Sequence, residues 1–378
     1  MSPAELNEQL PHAALAFRGY NVTNLGRSDE LLKHPRYSAI VKDNLRAASK
    51  RATEVLDRQV DLVDLVSRGQ EPSLEMYGES LALVMAMESA QVEILQKVFQ
   101  IDLRIAQMSF GYSLGEIAAL VAGGVLELGD ALEIPLMLSE DCIELARTVT
   151  LGVLFTRAAE LPEDDIRQIC LAINSEGRGV IGVSSHLSPN SILLMGQHDT
   201  LDRFKKMAAE VIPVKTQLRK HSEAMPPLHT PIVWERNIPN RAAFRMHTLP
   251  IHLREPYPPV LSLVTGMFSY TALSARAILH QWTDHPQRLW EAIYETLTRG
   301  VKTILHIGPE PNLIPATYKR LSDNVRQQMR DSFGMRALAV AARRPWLKTV
   351  LPQRAALLRA PQVRHIFLED WLLENAPK

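Results

Sequence analysis

Cysteine is scarce in this 378-residue sequence, which contains only Cys142 and Cys170. The two lie too far apart to form a local metal-binding or redox motif, so we expect no metal site. So few cysteines also exclude a disulfide framework, and this predicts a protein of the reducing cytoplasm.

An excess of charge of either sign is also missing, because 42 lysines and arginines balance 42 aspartates and glutamates. This balance predicts neither a nucleic acid nor a membrane surface as partner. No apolar run approaches the roughly 20 residues of a membrane span. The N-terminal residues lack a basic region followed by an apolar core, so we expect no signal peptide. The composition is that of a globular protein with a large core and a smaller second unit.

The most informative stretch is Phe110-Gly111-Tyr112-Ser113-Leu114-Gly115-Glu116. The residues before it, 105–109, have the character of a buried strand, and residues 117–122 after it favour a helix. Gly-x-Ser-x-Gly at such a strand-to-helix turn is typical of a nucleophile elbow. The pattern predicts an exposed nucleophile, Ser113, and an oxyanion-binding amide at Leu114 near the positive helix end. The alternative is a Gly-Ser turn without chemistry.

Apolar runs at 13–17, 260–264 and 303–307 predict further strands of the same main body. Residues 150–218 differ from the rest, because strands and helices there follow the order β-α-β-β-α-β. That order predicts a ferredoxin-like insert, which leaves the main body and returns to it.

Beyond about residue 320 the pattern predicts a tail of helices rather than strands. Between residues 336 and 364 this tail holds seven basic residues and no acidic one. The stretch is either a solvated helical face or a surface that meets an acidic partner.

Serine needs a base to act as a nucleophile. Of the twelve histidines, His229 is the best candidate, because it follows the insert and prolines flank it in Pro226-Pro227-Leu228-His229-Thr230-Pro231. The alternative is an ordinary loop histidine. No aspartate is marked as a third member of a triad, so the pattern supports a Ser–His pair.

Taken in order, these motifs resemble those of the malonyl-CoA:acyl carrier protein transacylases and the acyltransferase domains of polyketide synthases. The resemblance spans about residues 13–320, and it includes the elbow and His229. The other matching segments are Phe17-Arg18-Gly19-Tyr20-Asn21, Val264-Thr265-Gly266, the stretch from Gln281 to Trp290 and Ile307-Gly308-Pro309-Glu310.

The resemblance implies an α/β fold with two subdomains. A hydrolase-like large subdomain with a parallel sheet and the elbow would comprise residues 1–149 and 219–320. The ferredoxin-like small subdomain would comprise 150–218, and a basic helical extension would comprise 321–378.

The resemblance also implies a reaction. Ser113 would take an acyl group from acyl-CoA, the co-substrate, and pass it to the phosphopantetheine thiol of an acyl carrier protein, in fatty-acid or polyketide synthesis. His229 would be the base, and the amides of Leu114 and Tyr20 would bind the oxyanion. A backbone carbonyl near Gln281 would orient His229. No tightly bound cofactor is expected.

Two departures from the family pattern concern the substrate. Tyr112 replaces the histidine before the nucleophile. Leu138 stands where malonyl-selective members carry an arginine that holds the free carboxylate, with Arg147 nine residues further on. An unpaired buried carboxylate is costly, so we predict an uncharged acyl group, with Tyr112 and Leu138 in its pocket. Malonyl remains the alternative.

Other functions fit the same residues. A hydrolase or thioesterase that edits acyl carrier proteins differs only in using water as the acceptor. An α/β-hydrolase esterase would need an acidic residue on a later strand and a helical cap. An inactive scaffold is suggested by Tyr20 and Tyr112.

Overall fold

A computed structural model describes residues 1–157, 159–331 and 353–377. The described residues form eight strands, which are β1 (Ala13–Phe17), β2 (Met108–Gly111), β3 (Val149–Phe155), β4 (Ile181–Ser188), β5 (Ser191–Gln197), β6 (Gln217–Lys220), β7 (Thr303–Ile307) and β8 (Arg364–Phe367). They make two four-stranded sheets, in the orders β2-β1-β7-β8 and β4-β5-β3-β6. The predicted α/β class, with a parallel sheet and a separate small sheet, is confirmed.

The large sheet is parallel throughout. Its central strands β1 and β7 are buried at every position, because helices cover both faces of a parallel sheet. These helices cover the sheet and build its surroundings: Pro3–Gln9, Ser28–Lys33, Ser38–Leu56, Leu62–Arg68, Tyr77–Phe99, Leu114–Ala122, Leu128–Met137, Ser139–Ala146, Ile238–Thr248, Ala275–Gln281, Leu289–Thr298 and Leu313–Asp331.

Two strand predictions in this part need correction. β2 begins at Met108, whereas Leu103–Ile105 forms a 3-10 turn. Residues 260–264 do not form a strand, although Val260 makes a single bridge to Ser109 beside β2. Pro258 and Pro259 have no amide hydrogen to extend the pairing, and the chain folds back where the Gly266 amide donates to the Ser262 carbonyl.

The small sheet is antiparallel. Its two helices, Glu163–Ser175 and Thr200–Val211, alternate with the strands in the predicted β-α-β-β-α-β order. The sheet runs from Val149 to Lys220, one residue earlier and two later than the limits expected from the sequence. Its own core lies between the strands and the two helices, around Ile166, Leu194 and Phe204.

The C-terminal part differs from the predicted helical extension. Leu313–Asp331 is helical and crosses the expected boundary at residue 320, but Arg364–Phe367 is strand β8, paired in parallel with β7. A helix, Leu368–Glu374, follows it. The tail therefore completes the large sheet. Residues 336–352 of the predicted basic stretch lie outside the described residues.

None of the helices that the structure describes is both long enough and apolar enough to cross a bilayer.

Candidate active site

Ser113 sits between the end of β2 and the start of the helix Leu114–Ala122. Its backbone adopts φ 55° and ψ −116°, a conformation that a non-glycine residue adopts only under constraint. The neighbouring glycines make this turn possible, because a Cβ on Gly111 would collide with the backbone of Gly115. A Cβ on Gly115 would likewise collide with the carbonyls of Phe17 and Arg18. The sequence thus builds the predicted elbow against the end of β1.

The structure brings His229 to this elbow from 116 residues away in sequence. Its Nε2 lies 2.7 Å from Ser113 Oγ, and its Nδ1 lies 2.6 Å from the carbonyl oxygen of Trp282. A carbonyl only accepts, so Nδ1 carries the hydrogen and the Nε2 lone pair faces the serine hydroxyl. The His229 amide also donates to the Thr283 carbonyl at 2.7 Å.

Burial sets the protonation state of this histidine. Because the ring is removed from water, the pKa of His229 falls to about 4, and the Trp282 carbonyl offsets only part of this effect. The imidazole is therefore neutral at pH 7, as a base that accepts the serine proton must be.

The backbone carbonyl predicted near Gln281 is present, one residue further along the chain. The carbonyl belongs to Trp282, one residue beyond Gln281, whose side chain is exposed. Trp282 acts twice here, since its indole nitrogen donates to the Ser113 carbonyl at 2.9 Å. The helix Ala275–Gln281 ends just before it, so the carbonyl of Trp282 has no helical partner and is free to accept.

The amides of Leu114 and Tyr20 were predicted to bind an oxyanion. Leu114 is the first residue of its helix, and Gly19 packs so closely on the elbow that a Cβ there would lie 3.4 Å from Ser113 Cβ. This contact holds the Tyr20 loop beside the nucleophile. Within the described residues, neither the Leu114 nor the Tyr20 amide donates to a protein acceptor. Their predicted role as the oxyanion hole stays a prediction.

Ser113 and His229 open into a cavity of about 980 Å³ between the two sheets. Its apolar and aromatic lining includes both tyrosines that were predicted near the substrate, Tyr20 and Tyr112. The remaining apolar lining comprises Val22, Tyr77, Leu151, Val153, Phe155, Leu187, Leu193, Met195, Met225, Pro226, Leu228, Pro311, Leu313, Ile314, Pro315 and Ala316. Burial raises the pKa of Tyr112 to about 12, so its hydroxyl is neutral.

Leu138, predicted to lie in the pocket, does not line this cavity. It is fully buried in the main core, between the helices Leu128–Met137 and Ser139–Ala146. Arg147 is exposed and does not line it either. Tyr77, whose ring packs edge-on against Tyr20 with centroids 4.6 Å apart, lines the cavity instead. Counting residues from Ser113 without gaps could not show that Tyr77 lines the cavity and Leu138 does not.

Arg18 is the buried cation of the lining, and its guanidinium is fully occupied. It donates to the carbonyl oxygens of Gly19, Thr23, Pro309 and Glu310 and to Oδ1 of Asn24. These bonds fix the loop that carries Tyr20. Three further arginines of the lining, Arg157, Arg219 and Arg320, are solvent-exposed.

Glu116 follows the elbow but points away from the reacting groups. It is fully buried, and it accepts hydrogen bonds from the Leu263 amide at 2.9 Å and from the Tyr270 hydroxyl at 2.7 Å. Burial raises the pKa of Glu116 to about 7. It therefore ties the elbow helix to the segment after residue 260.

Sequence reasoning also missed Gln287. Its side chain is fully buried, its Oε1 accepts from the Ser113 amide at 3.0 Å, and its Nε2 lies 3.3 Å from His229 Nδ1. The only available signal was its place within the motif from Gln281 to Trp290, since a single polar residue after a proline carries no periodicity.

No protein-family model matches the chain. A 203-residue segment, 53% of the chain, is 24% identical to the polyketide synthase GfsA of Streptomyces halstedii, and the match spans only 2% of that protein's length.

The structural likeness is more extensive. The acyl carrier protein S-malonyltransferase of Vibrio cholerae superposes with a TM-score of 0.64 at 20% identity, over 81% of this chain and 92% of that one. A malonyl-transacylase in complex with a type II polyketide acyl carrier protein gives 0.61 at 21% identity, over 81% and 91%. The fold is therefore the two-subdomain fold of the malonyl transacylases, and the resemblance predicted from the motifs is confirmed at that level.

Proposed function

We propose that this protein is an acyltransferase, which moves an acyl group from an acyl thioester to the phosphopantetheine thiol of an acyl carrier protein through an acyl-Ser113 intermediate. The observation that carries this proposal is the 2.7 Å contact between Ser113 Oγ and His229 Nε2, on a constrained elbow at the base of an apolar cavity. The setting is fatty-acid or polyketide synthesis, as for the proteins that share the fold.

In the first half-reaction, Ser113 Oγ attacks the thioester carbonyl while His229 Nε2 takes its proton. The resulting oxyanion meets the amides of Leu114 and Tyr20, and the Trp282 carbonyl stabilises the imidazolium through Nδ1. The tetrahedral intermediate then expels the thiolate, which takes the proton from Nε2. The acyl group is left on serine.

In the second half-reaction, the thiol of the carrier protein gives its proton to His229 and attacks the acyl-serine carbonyl. Collapse of this second intermediate releases the new thioester, and the serine oxygen recovers its proton from the imidazolium. Ser113, His229 and the Trp282 carbonyl serve in both half-reactions, so the mechanism needs no carboxylate as a third member of a triad.

The lining favours an acyl group without a carboxylate. The buried guanidinium of Arg18 already donates to five protein oxygens, and the remaining arginines of the lining are exposed to solvent. A malonyl carboxylate placed beside Ser113 would be desolvated without a cation to pair with, at a cost of several kcal/mol. Acetyl, longer or branched acyl groups instead meet leucine, valine, methionine and tyrosine side chains.

The exposed arginines suit the other end of the substrate. Arg157, Arg219 and Arg320 line the cavity and are exposed to solvent, and a guanidinium binds phosphate as a planar fork. Acyl-CoA and the phosphopantetheine arm of a carrier protein both present phosphate on a flexible chain that ends in sulfur. Both are therefore the partners that we propose.

The test is to incubate the protein with malonyl-CoA and a series of acetyl-, medium-chain and branched acyl-CoAs, and to measure the intact mass. We expect uncharged acyl groups to add one acyl mass, and Ser113→Ala to remove it. Efficient labelling by malonyl alone would disprove the uncharged acyl group while leaving the acyltransferase in place.

A second measurement separates transfer from hydrolysis. The acylated protein is freed from acyl-CoA, and the adduct is followed with and without a phosphopantetheinylated carrier protein. An adduct that persists until the carrier protein is added is expected. An adduct that decays rapidly in water alone would instead assign the protein as a thioesterase.

A further inference from the structure

Gln287 occupies an unusual place, because it contacts both reacting residues. Its Oε1 lies 3.0 Å from the Ser113 amide and its Nε2 lies 3.3 Å from His229 Nδ1, while its side chain is fully buried. The Ser113 amide can only donate, so the oxygen of the Gln287 amide must face it and the NH₂ group must face the imidazole. The orientation of Gln287 is thus fixed by the elbow.

The backbone of Gln287 is held by the other sheet. Its amide donates to the Ser184 carbonyl at 2.9 Å, and its carbonyl accepts from the His186 amide at 2.8 Å and from Ser185 Oγ at 3.0 Å. These three residues belong to β4, and residues 185 and 287 form a parallel bridge. One residue therefore joins the small sheet, the nucleophile and the histidine.

We propose that Gln287 is a positioning residue of this site, which holds the Ser113 amide in its constrained conformation, packs against the imidazole of His229 and links both to the small subdomain. The inference rests on the proposed function, since positioning matters only if Ser113 reacts.

The contact between Gln287 and His229 is not a hydrogen bond to a free lone pair. Trp282 already accepts the Nδ1 hydrogen at 2.6 Å, so the Gln287 NH₂ group packs against an N–H edge. A neutral amide there lends the imidazolium no charge stabilisation. A carboxylate at the same place would accept from the Ser113 amide as the glutamine does, and would also favour the protonated ring.

Among the described residues, no charged side chain contacts the imidazole. On the segment that packs against it, Asp284 accepts from the indole of Trp234 at 2.9 Å and pairs with His285 at 2.7 Å. From the elbow side the ring meets only Ser113, and on its own loop prolines and Leu228 flank it. Among the described residues, a charge introduced at residue 287 would therefore be the first to contact the His229 imidazole.

Two variants separate the roles of the amide oxygen and of the charge. Gln287→Leu keeps the approximate volume but leaves the Ser113 amide without an acceptor. Gln287→Glu keeps an acceptor and adds a charge beside His229. Gln281→Leu is the matched control, because it makes the same change six residues earlier in the chain at an exposed position.

The readout is the rate at which a fluorophosphonate modifies Ser113 in the full-length protein, followed by intact mass from about pH 3 to about pH 9, a range that brackets the His229 pKa of about 4. This reaction needs an activated serine but neither a carrier protein nor a particular acyl group. We expect Gln287→Leu to slow the plateau rate about tenfold or more, as for other lost buried hydrogen bonds. Gln281→Leu should match the unaltered protein.

Gln287→Glu should react faster than Gln287→Leu on the plateau, and the pH at which its rate falls by half should lie at least about one pH unit above that of the unaltered protein. A purely structural role predicts no such move. If Gln287→Leu fails to fold, the pH shift of Gln287→Glu alone decides.

The outcomes separate the two proposals. If Ser113 in the unaltered protein does not react with the probe, the proposed function is overturned and this inference with it. If Ser113 reacts but Gln287→Leu matches Gln281→Leu, or if Gln287→Glu leaves the pH dependence unchanged, the inference alone is overturned.

Discussion

The two sheets contribute to the cavity in different ways. The large sheet shapes the cavity largely through its backbone, since the end of β2 sets the conformation of Ser113 and Gly19, just after β1, packs closely on the elbow. The small sheet supplies side chains, from Leu151 and Val153 on β3 to Leu193 and Met195 on β5.

This difference predicts that the large sheet governs the reaction and the small sheet governs selectivity for the acyl group. Around the elbow a change as small as one Cβ at Gly115 would collide with the end of β1. A side chain on β3 or β5 can change size, and the main effect would be on the shape of the cavity. We therefore expect substitutions on the large-sheet side to abolish the reaction and substitutions on the small-sheet side to change which acyl group reacts.

Loss of the nucleophile should have the largest effect. Ser113→Ala should abolish the acyl adduct and lower acyl transfer on the order of 10⁴-fold or more, because no other group can form the ester. His229→Gln should lower the rate of adduct formation by about 10²- to 10⁴-fold. Intact mass and a carrier-protein assay measure both, with Ser67→Ala on an exposed helical turn as the control. An adduct in Ser113→Ala would place the reaction elsewhere.

On the large-sheet side, the buried Glu116 should make the free energy of unfolding depend on pH. Its folded-state pKa, raised from 4.5 to about 7, means that the folded protein holds this proton more tightly than the unfolded chain does. Stability from this group is therefore lost as the pH rises from about 4.5 to about 7. Relative to Glu116→Gln, the unaltered protein should lose about 3 kcal/mol of unfolding free energy across that range.

Urea unfolding at several pH values measures this difference, and Glu8→Gln at an exposed position is the control. If the free energy of unfolding depends on pH in the same way in the unaltered protein and in Glu116→Gln, the buried Glu116 carboxyl group does not cause that dependence.

The pH dependence of the first half-reaction tests the setting of His229. Burial lowers its pKa to about 4, and only the neutral ring accepts the serine proton. The rate of adduct formation should be level from about pH 5 to pH 8 and should fall about tenfold per pH unit below pH 4. Rapid-quench intact mass measures this rate, and circular dichroism confirms that the protein stays folded. A midpoint near 6.5 would indicate a solvated imidazole instead.

Substitution on the small sheet should have the smallest effect on rate and the clearest effect on selectivity. Leu151→Ala enlarges the cavity, so kcat/KM for a longer or branched acyl-CoA should rise relative to acetyl-CoA by about tenfold, the usual value of a methylene or two in a pocket. Leu171→Ala makes the same change on a helix surface, where Leu171 is 60% exposed, and should leave the ratio unaltered. An unchanged ratio in Leu151→Ala would contradict the division between the two sheets.

The C-terminal residues show where sequence reasoning was wrong. The pattern predicted an attached helical extension, but β8 pairs with β7, and Glu369 accepts hydrogen bonds from the amides of Arg27 and Glu310. A strand of four residues is too short to show a clear alternation of apolar and polar residues. Its sequence pattern therefore cannot be told from that of a helix end. Deleting residues 336–378 would remove β8 and the helix that follows it. Single charge substitutions are therefore the proper test of whether the basic stretch meets an acidic partner.

The elbow, the ferredoxin-like insert and the choice of His229 as the candidate base could all be predicted from the sequence. These predictions use local rules, since glycine spacing, apolar periodicity and proline position act within a few residues. The fold was needed to show that His229 reaches Ser113, that the carbonyl of Trp282 accepts the Nδ1 hydrogen, that Tyr77 rather than Leu138 lines the cavity, and that Gln287 contacts both Ser113 and His229. Such contacts join residues from 53 to 174 positions apart, and a shift of one residue along a turn redirects a carbonyl or a side chain without altering any pattern in the sequence.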